Sequence, residues 1–120
     1  MTVSATTYQD RLAPYSNYGV STIVLSAPGG SLPPGADSYP YLCPGAFSPD
    51  AVSGKFYAWA AGTSFSAPKV SGTAGLVLSR NRIAVSQLKV VLQQTSEDLG
   101  KSGRDEEFGF GLVDANRAVR

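Results

Sequence analysis

Hydrophobic residues are distributed differently in the two halves of this chain. In the first half they gather in short β-branched runs. Thr2–Thr6 and Ser21–Leu25, the latter holding Thr22, Ile23 and Val24, each predict a strand. Between Gly29 and Ser53 no period of 2 or 3.6 survives, and breakers such as Pro28-Gly29-Gly30 and Pro33-Pro34-Gly35 recur, which predicts a long surface loop. Lys55–Ala61 predicts a further strand that stops at Gly62. No internal repeat or low-complexity tract is visible.

The second half reads as helical. Val70–Leu78 is apolar or small all the way round, which predicts a helix buried on every side. Ala67, Ser71 and Gly75 recur every four residues with Gly72 beside them, a small-residue stripe that permits close backbone approach. A glycine inside a helix costs about 1 kcal/mol relative to alanine, so two of them imply a packing reason. A second helix is predicted from Ser86 to about Leu99, with Ser86 as N-cap, Val85 and Val90 as a staple across it and Gly100 as the stop. Leu88, Val91, Leu92, Thr95 and Leu99 would form its buried stripe. After the turn Gly109-Phe110-Gly111, Asp114 is placed to cap a last short helix.

At 120 residues the chain is the size of one domain. Its 42% hydrophobic and 16% charged residues exclude charge-driven disorder. A net charge of +1 argues against a nucleic-acid partner or a membrane surface, both of which call for a basic face. No run approaches the ~18 apolar residues of a membrane span. Met1-Thr2-Val3-Ser4 has neither the basic nor the apolar region of a signal peptide, and leads to the expectation of an interior stretch of a protein headed by a methionine. The single Cys43 has no partner for an internal disulfide; it is either a thiol or half of a bridge to another segment. There is no histidine, so a His-based triad or His-ligated metal cannot be completed within these residues.

The segment Gly62-Thr63-Ser64-Phe65-Ser66-Ala67-Pro68-Lys69-Val70-Ser71-Gly72 is a loop entering the buried helix, with three hydroxyls at the entry. On local grounds each is a helix cap. The functional alternative is a serine nucleophile, since free N–H groups and the positive end of the helix dipole suit the oxyanion of an acyl-transfer intermediate. A serine hydroxyl still needs a base to take its proton.

These eleven residues resemble the nucleophile motif of the subtilisin-like serine proteases, the subtilases, of pattern G-T-S-x-[AS]-[AS]-P-x-V-[AS]-G. Three further segments resemble the same family in the same order: Thr2-Val3-Ser4-Ala5, then Tyr15-Ser16-Asn17-Tyr18-Gly19 with Val24-Leu25-Ser26-Ala27-Pro28-Gly29, and Phe108-Gly109-Phe110-Gly111-Leu112-Val113-Asp114-Ala115. The resemblance implies an α/β fold, the C-terminal portion of a parallel-sheet peptidase domain over residues 1–120, with the central helix following the nucleophile. It implies a secreted endopeptidase acting on peptide or protein substrates, with Ser64 as its catalytic residue. The family's catalytic Asp and His, the Asn side chain of its oxyanion hole and most of its primary specificity pocket correspond to residues upstream of the first strand seen here. The isolated chain is therefore expected to be inactive and to self-associate. The alternative is a non-catalytic fragment or pseudoenzyme half that serves in assembly.

Lys69 stands where the family often has a non-catalytic histidine. A Ser64–Lys69 dyad is disfavoured, because five residues along a helix turn the side chain about 140° away round the axis. Local propensity would start the helix near Ser66, whereas the resemblance implies a start near Thr63 or Ser64 with Pro68 inside it; the earlier start is expected, because the nucleophile must sit at the helix start. The loop holding Cys43 is longer than in compact subtilases and reads as an insertion at the active-site rim, tied upstream by a disulfide or carrying a free thiol. No cofactor is expected; calcium, which many subtilases use, has only Asp37 and Asp50 here, without ligand spacing. Asp105-Glu106-Glu107 reads as a solvated loop. Tyr39, Tyr41, Phe47, Phe56, Tyr57 and Trp59 either line a groove or simply pack the loop.

Overall fold

A computed structural model describes residues 1–31, 41–44, 57–80 and 83–120, with 41–44 and 57–60 described by their backbone. The elements run β1 (Val3–Thr6), β2 (Leu25–Pro28), β3 (Tyr41–Pro44), β4 (Tyr57–Ala60), α1 (Thr63–Arg80), α2 (Val85–Gln94) and α3 (Ala115–Ala118). β1 and β2 pair in parallel, with Val3 opposite Leu25 and Thr6 opposite Pro28. β3 and β4 form a separate antiparallel pair.

β1 lies where the β-branched run puts it. β2 is displaced from Ser21–Leu25 to Leu25–Pro28, because the amides of Thr22 and Ile23 turn back onto Gly19 O and cannot join a ladder. Ile23 keeps its apolar role instead as a fully buried side chain. The long loop predicted from Gly29 to Ser53 contains β3, whose backbone finds its partners on β4; pairing across the chain overrides the flanking prolines. The strand predicted over 55–61 is β4, shortened at both ends.

Ser4, Ala5, Thr6, Leu25, Ser26 and Ala27 are all buried, as expected of parallel strands covered on both faces. On the far side of β2 the segment 110–113 runs alongside: Phe110 N donates to Val24 O, Ser26 N to Gly111 O and Val113 N to Ser26 O, all at 2.9 Å. Gly111 takes φ +123°, and a Cβ there would overlap the Glu97 carbonyl. The position therefore requires glycine.

α1 crosses β1 and β2 and buries Ser66, Val70, Thr73 and Val77, a single stripe at helical spacing. Val70 and Val77 join Leu25, Ala27, Leu92 and Ala118 in the core. Burial on every side is not reached within this chain. Leu76 and Leu78 are 53% and 40% exposed, and Ala67, Ser71, Gly72 and Gly75 also face outward. A Cβ on Gly72 or Gly75 would meet nothing within 4 Å, so the packing reason for these glycines is not among the described residues.

α2 starts at Val85 rather than after Ser86. Ala84 stands at the N-cap position and its N–H donates to Gln87 Oε1 at 3.0 Å, so the reach-back from the third helical residue replaces a serine cap. Val85 and Val90 are exposed and form no buried staple. The helix ends at Gln94, short of Leu99, with the Thr95 hydroxyl donating to Val91 O and Ser96 Oγ to Gln93 O and Phe110 O. These hydroxyls supply the stop that Gly100 was expected to give. α3 forms as predicted: Asp114 Oδ1 accepts from Arg117 N at 2.9 Å.

Candidate active site

Ser64 is the second residue of α1 and its side chain is exposed. The helix begins at Thr63, as the motif implies and against the later start favoured by propensity. Thr63 and Ser64 occupy the first turn, whose N–H groups have no acceptor inside the helix; the Phe65 amide is satisfied by Gly62 O at 2.9 Å. Pro68 lies inside α1 with no N–H to give the Ser64 carbonyl. The side chain and first-turn amides without an acceptor inside the helix thus share the end of an 18-residue helix, where the dipole is positive.

The three hydroxyls of the motif are not equivalent. Ser64 points outward, while Ser66, two residues and about 200° further round, is fully buried. Its Oγ has no hydrogen-bond partner among the described residues, a condition shared by Thr6 Oγ1 and Ser26 Oγ. Ser66 lies against the exit of β2: a Cβ built on Gly29 would sit 2.5 Å from Ala5 Cβ, 2.6 Å from Ser66 Oγ and 2.9 Å from the Tyr15 hydroxyl. Glycine at position 29 is what allows β1, β2, α1 and Tyr15 to converge.

That convergence fixes the loop that carries Ser64. Gly62 N donates to Gly29 O at 2.9 Å, and the amides of Gly29 and Gly30 both reach Thr6 O. The Tyr15 hydroxyl donates to Gly30 O at 2.6 Å. Lys69 Nζ donates to Pro28 O at 2.7 Å and to Phe65 O at 3.3 Å. Among the described residues no hydrogen bond joins Lys69 to Ser64, consistent with the divergence that helical geometry dictates. The contacts of Lys69 and Tyr15 were not legible in the sequence, because each reaches a backbone carbonyl, and carbonyls leave no trace in residue type.

Of the other candidates, Asp105 is buried rather than solvated. Its carboxylate accepts from the backbone N–H groups of Lys101, Glu107 and Phe108 at 3.1, 2.9 and 2.7 Å. Glu106 and Glu107 do face solvent. Among the described residues no three His, Cys, Asp or Glu side chains are placed to hold a metal ion, and no helix is long and apolar enough to cross a membrane. Asp37, Tyr39, Phe47, Asp50 and Phe56 lie outside the described residues, as do the side chains of Tyr41, Cys43, Tyr57 and Trp59.

Comparison with known proteins gives a consistent picture. A family model described as the subtilase family matches residues 1–111. The chain is 38% identical over 125 residues to an extracellular basic protease of Dichelobacter nodosus, covering 99% of this chain and 19% of that protein. It is 47% identical over 60 residues to an autotransporter lipoprotein, NalP, of Neisseria meningitidis, covering 49% of this chain and 6% of that protein. The crystal structure of a lanthipeptide protease superposes with a TM-score of 0.78 at 32% identity, over 98% of this chain and 39% of the other. The chain thus spans between about one-twentieth and two-fifths of the lengths of these relatives.

Proposed function

Because the chain belongs to the subtilase family, we propose that it is the C-terminal part of a serine endopeptidase domain in which Ser64 is the nucleophile. The observation that carries this reading is the position of Ser64: exposed, at the second residue of α1, just after Gly62, whose amide is tied to the exit of β2. In the complete protein Ser64 Oγ attacks the scissile carbonyl carbon while a base takes its proton. The carbonyl oxygen becomes an oxyanion against the Ser64 amide, and the amine leaves with a proton returned by the base. Water then releases the acyl group from Ser64 by the reverse sequence. The base, its orienting carboxylate and the side-chain oxyanion donor come from other segments of the complete protein, since this chain has no histidine. Peptides or proteins are the substrates. The Dichelobacter nodosus relative is named as extracellular, and secretion is the matching location here.

A fluorophosphonate probe tests the assignment, because it reacts with activated serines. The complete protein is expected to be labelled stoichiometrically at Ser64, and the 120-residue chain to stay unlabelled for want of a base. Stoichiometric labelling of the isolated chain would mean that a base, such as Lys69, resides within it.

The outward face of α1, with Ala67, Ser71, Gly75 and Leu78, is where the rest of the peptidase domain would pack. A shallow hollow between β1 and α1, lined by Met1, Val3, Ala67, Val70, Ser71 and Ala74, extends that face. In the chain purified alone, a second copy is expected to cover it, since a large apolar patch and an open strand edge are poorly tolerated in water. Light scattering should then give a mass above 12.5 kDa at tens of micromolar; a monodisperse 12.5 kDa species would contradict it.

A further inference from the structure

The carbonyl groups of three consecutive residues leaving β2 are each held by a different part of the chain. Pro28 O takes a hydrogen bond from Lys69 Nζ at 2.7 Å, Gly29 O from Gly62 N at 2.9 Å, and Gly30 O from the Tyr15 hydroxyl at 2.6 Å. The lysine also reaches back along its own helix to Phe65 O at 3.3 Å. Ser64 therefore sits in a short span that is fastened on both sides. Gly62 is bonded to Gly29 before it, and Phe65 is linked through Lys69 to Pro28 after it. The junction has no slack, because Gly29 leaves no room even for a methyl group between Ala5, Ser66 and Tyr15.

A lysine ammonium offers three donors and no acceptor, and a charged donor makes a hydrogen bond roughly twice as strong as a neutral one. An ammonium has no lone pair, so a lysine that holds these carbonyls as a charged donor is not a general base. Resting on the reading of Ser64 as nucleophile, we propose that Lys69, assisted by Tyr15, is a positioning residue that fixes the first turn of α1 on the exit of β2 and so aims Ser64 Oγ. Neither side chain touches the reacting atoms. Small displacements of a nucleophile are costly, up to about 10²-fold for 1 Å, but the Gly62–Gly29 bond remains when the lysine is removed, so a partial loss is expected.

The test compares wild type, Lys69→Met, Lys69→Arg, Tyr15→Phe and Ser64→Ala in the complete protein, with a chromogenic peptide substrate and a pH profile of kcat/KM. Lys69→Met should lower kcat three- to tenfold with KM within twofold, and leave both limbs of the pH profile in place. Lys69→Arg, which keeps charged donors, should recover at least half of the loss. Tyr15→Phe should lower kcat two- to fivefold at unchanged KM. A Lys69→Met enzyme with wild-type kcat, or one changed only in thermal stability, overturns the proposal, and so does a shifted pH limb. If Lys69→Met does not fold, Tyr15→Phe decides, and wild-type kcat there overturns it. An active Ser64→Ala removes the nucleophile reading and the proposal with it; an inactive Ser64→Ala beside a wild-type-like Lys69→Met removes the proposal alone.

Discussion

Replacing Ser64 by alanine in the complete protein is expected to lower kcat by roughly 10⁴–10⁶-fold with little change in KM. On the proposed reading the hydroxyl makes the covalent bond while substrate binding rests on groups elsewhere, so its loss would fall on the chemical step. Ser66→Ala is the matched control. Ser66 is fully buried with no hydrogen-bond partner among the described residues, so removing its hydroxyl breaks no hydrogen bond seen there. Its removal should leave kcat unchanged and stability the same or slightly higher. Two serines two residues apart should thus differ by four or more orders of magnitude in effect, as peptide hydrolysis would measure. A silent Ser64→Ala would remove the protease reading altogether.

The second large effect is on stability. Gly111→Ala should destabilise the folded chain by about 3 kcal/mol or more, read as a lowered midpoint in urea or thermal unfolding. Two costs add. At φ +123°, beyond the left-handed helical well, a side chain costs about 1–3 kcal/mol, and the new Cβ would overlap the Glu97 carbonyl, a backbone group that cannot rotate away. The overlap falls where Glu97 and Leu112 exchange two hydrogen bonds at 2.8 Å, so relief means breaking one or both. Gly75→Ala in the isolated chain is the contrasting case, since nothing lies within 4 Å of the added carbon.

The parts of this structure legible in the sequence are those written in side chains. The eleven-residue motif announced a helix start at Thr63 or Ser64 and the family, because the motif is a pattern of residue types. Asp114 announced its cap because a carboxylate is the capping group. The parts that were missed are written in the backbone. Ser21–Leu25 has strand propensity, yet Gly19 O claims the Thr22 and Ile23 amides and the ladder begins only at Leu25. β3 forms where no pattern favours it, because β4 offers a partner. α2 takes its cap from Gln87 although Ser86 stands nearby. At the site, Pro28 O and Gly30 O bring in Lys69 and Tyr15, and neither acceptor could be read from residue type.

The placement of β2 has a consequence for the order of assembly during synthesis. One edge of β2 is taken by β1, made shortly before it, and the other by residues 110–113, made long after. At 5–20 residues per second the ribosome needs roughly ten seconds to deliver that second neighbour. Throughout the wait β2 presents an open edge, the geometry most prone to pairing with a neighbouring chain. The buried middle of this sheet is therefore the last part to be sealed. Truncations before Gly111 would leave it permanently open, so they are expected to be lost to aggregation even though every residue around Ser64 is intact.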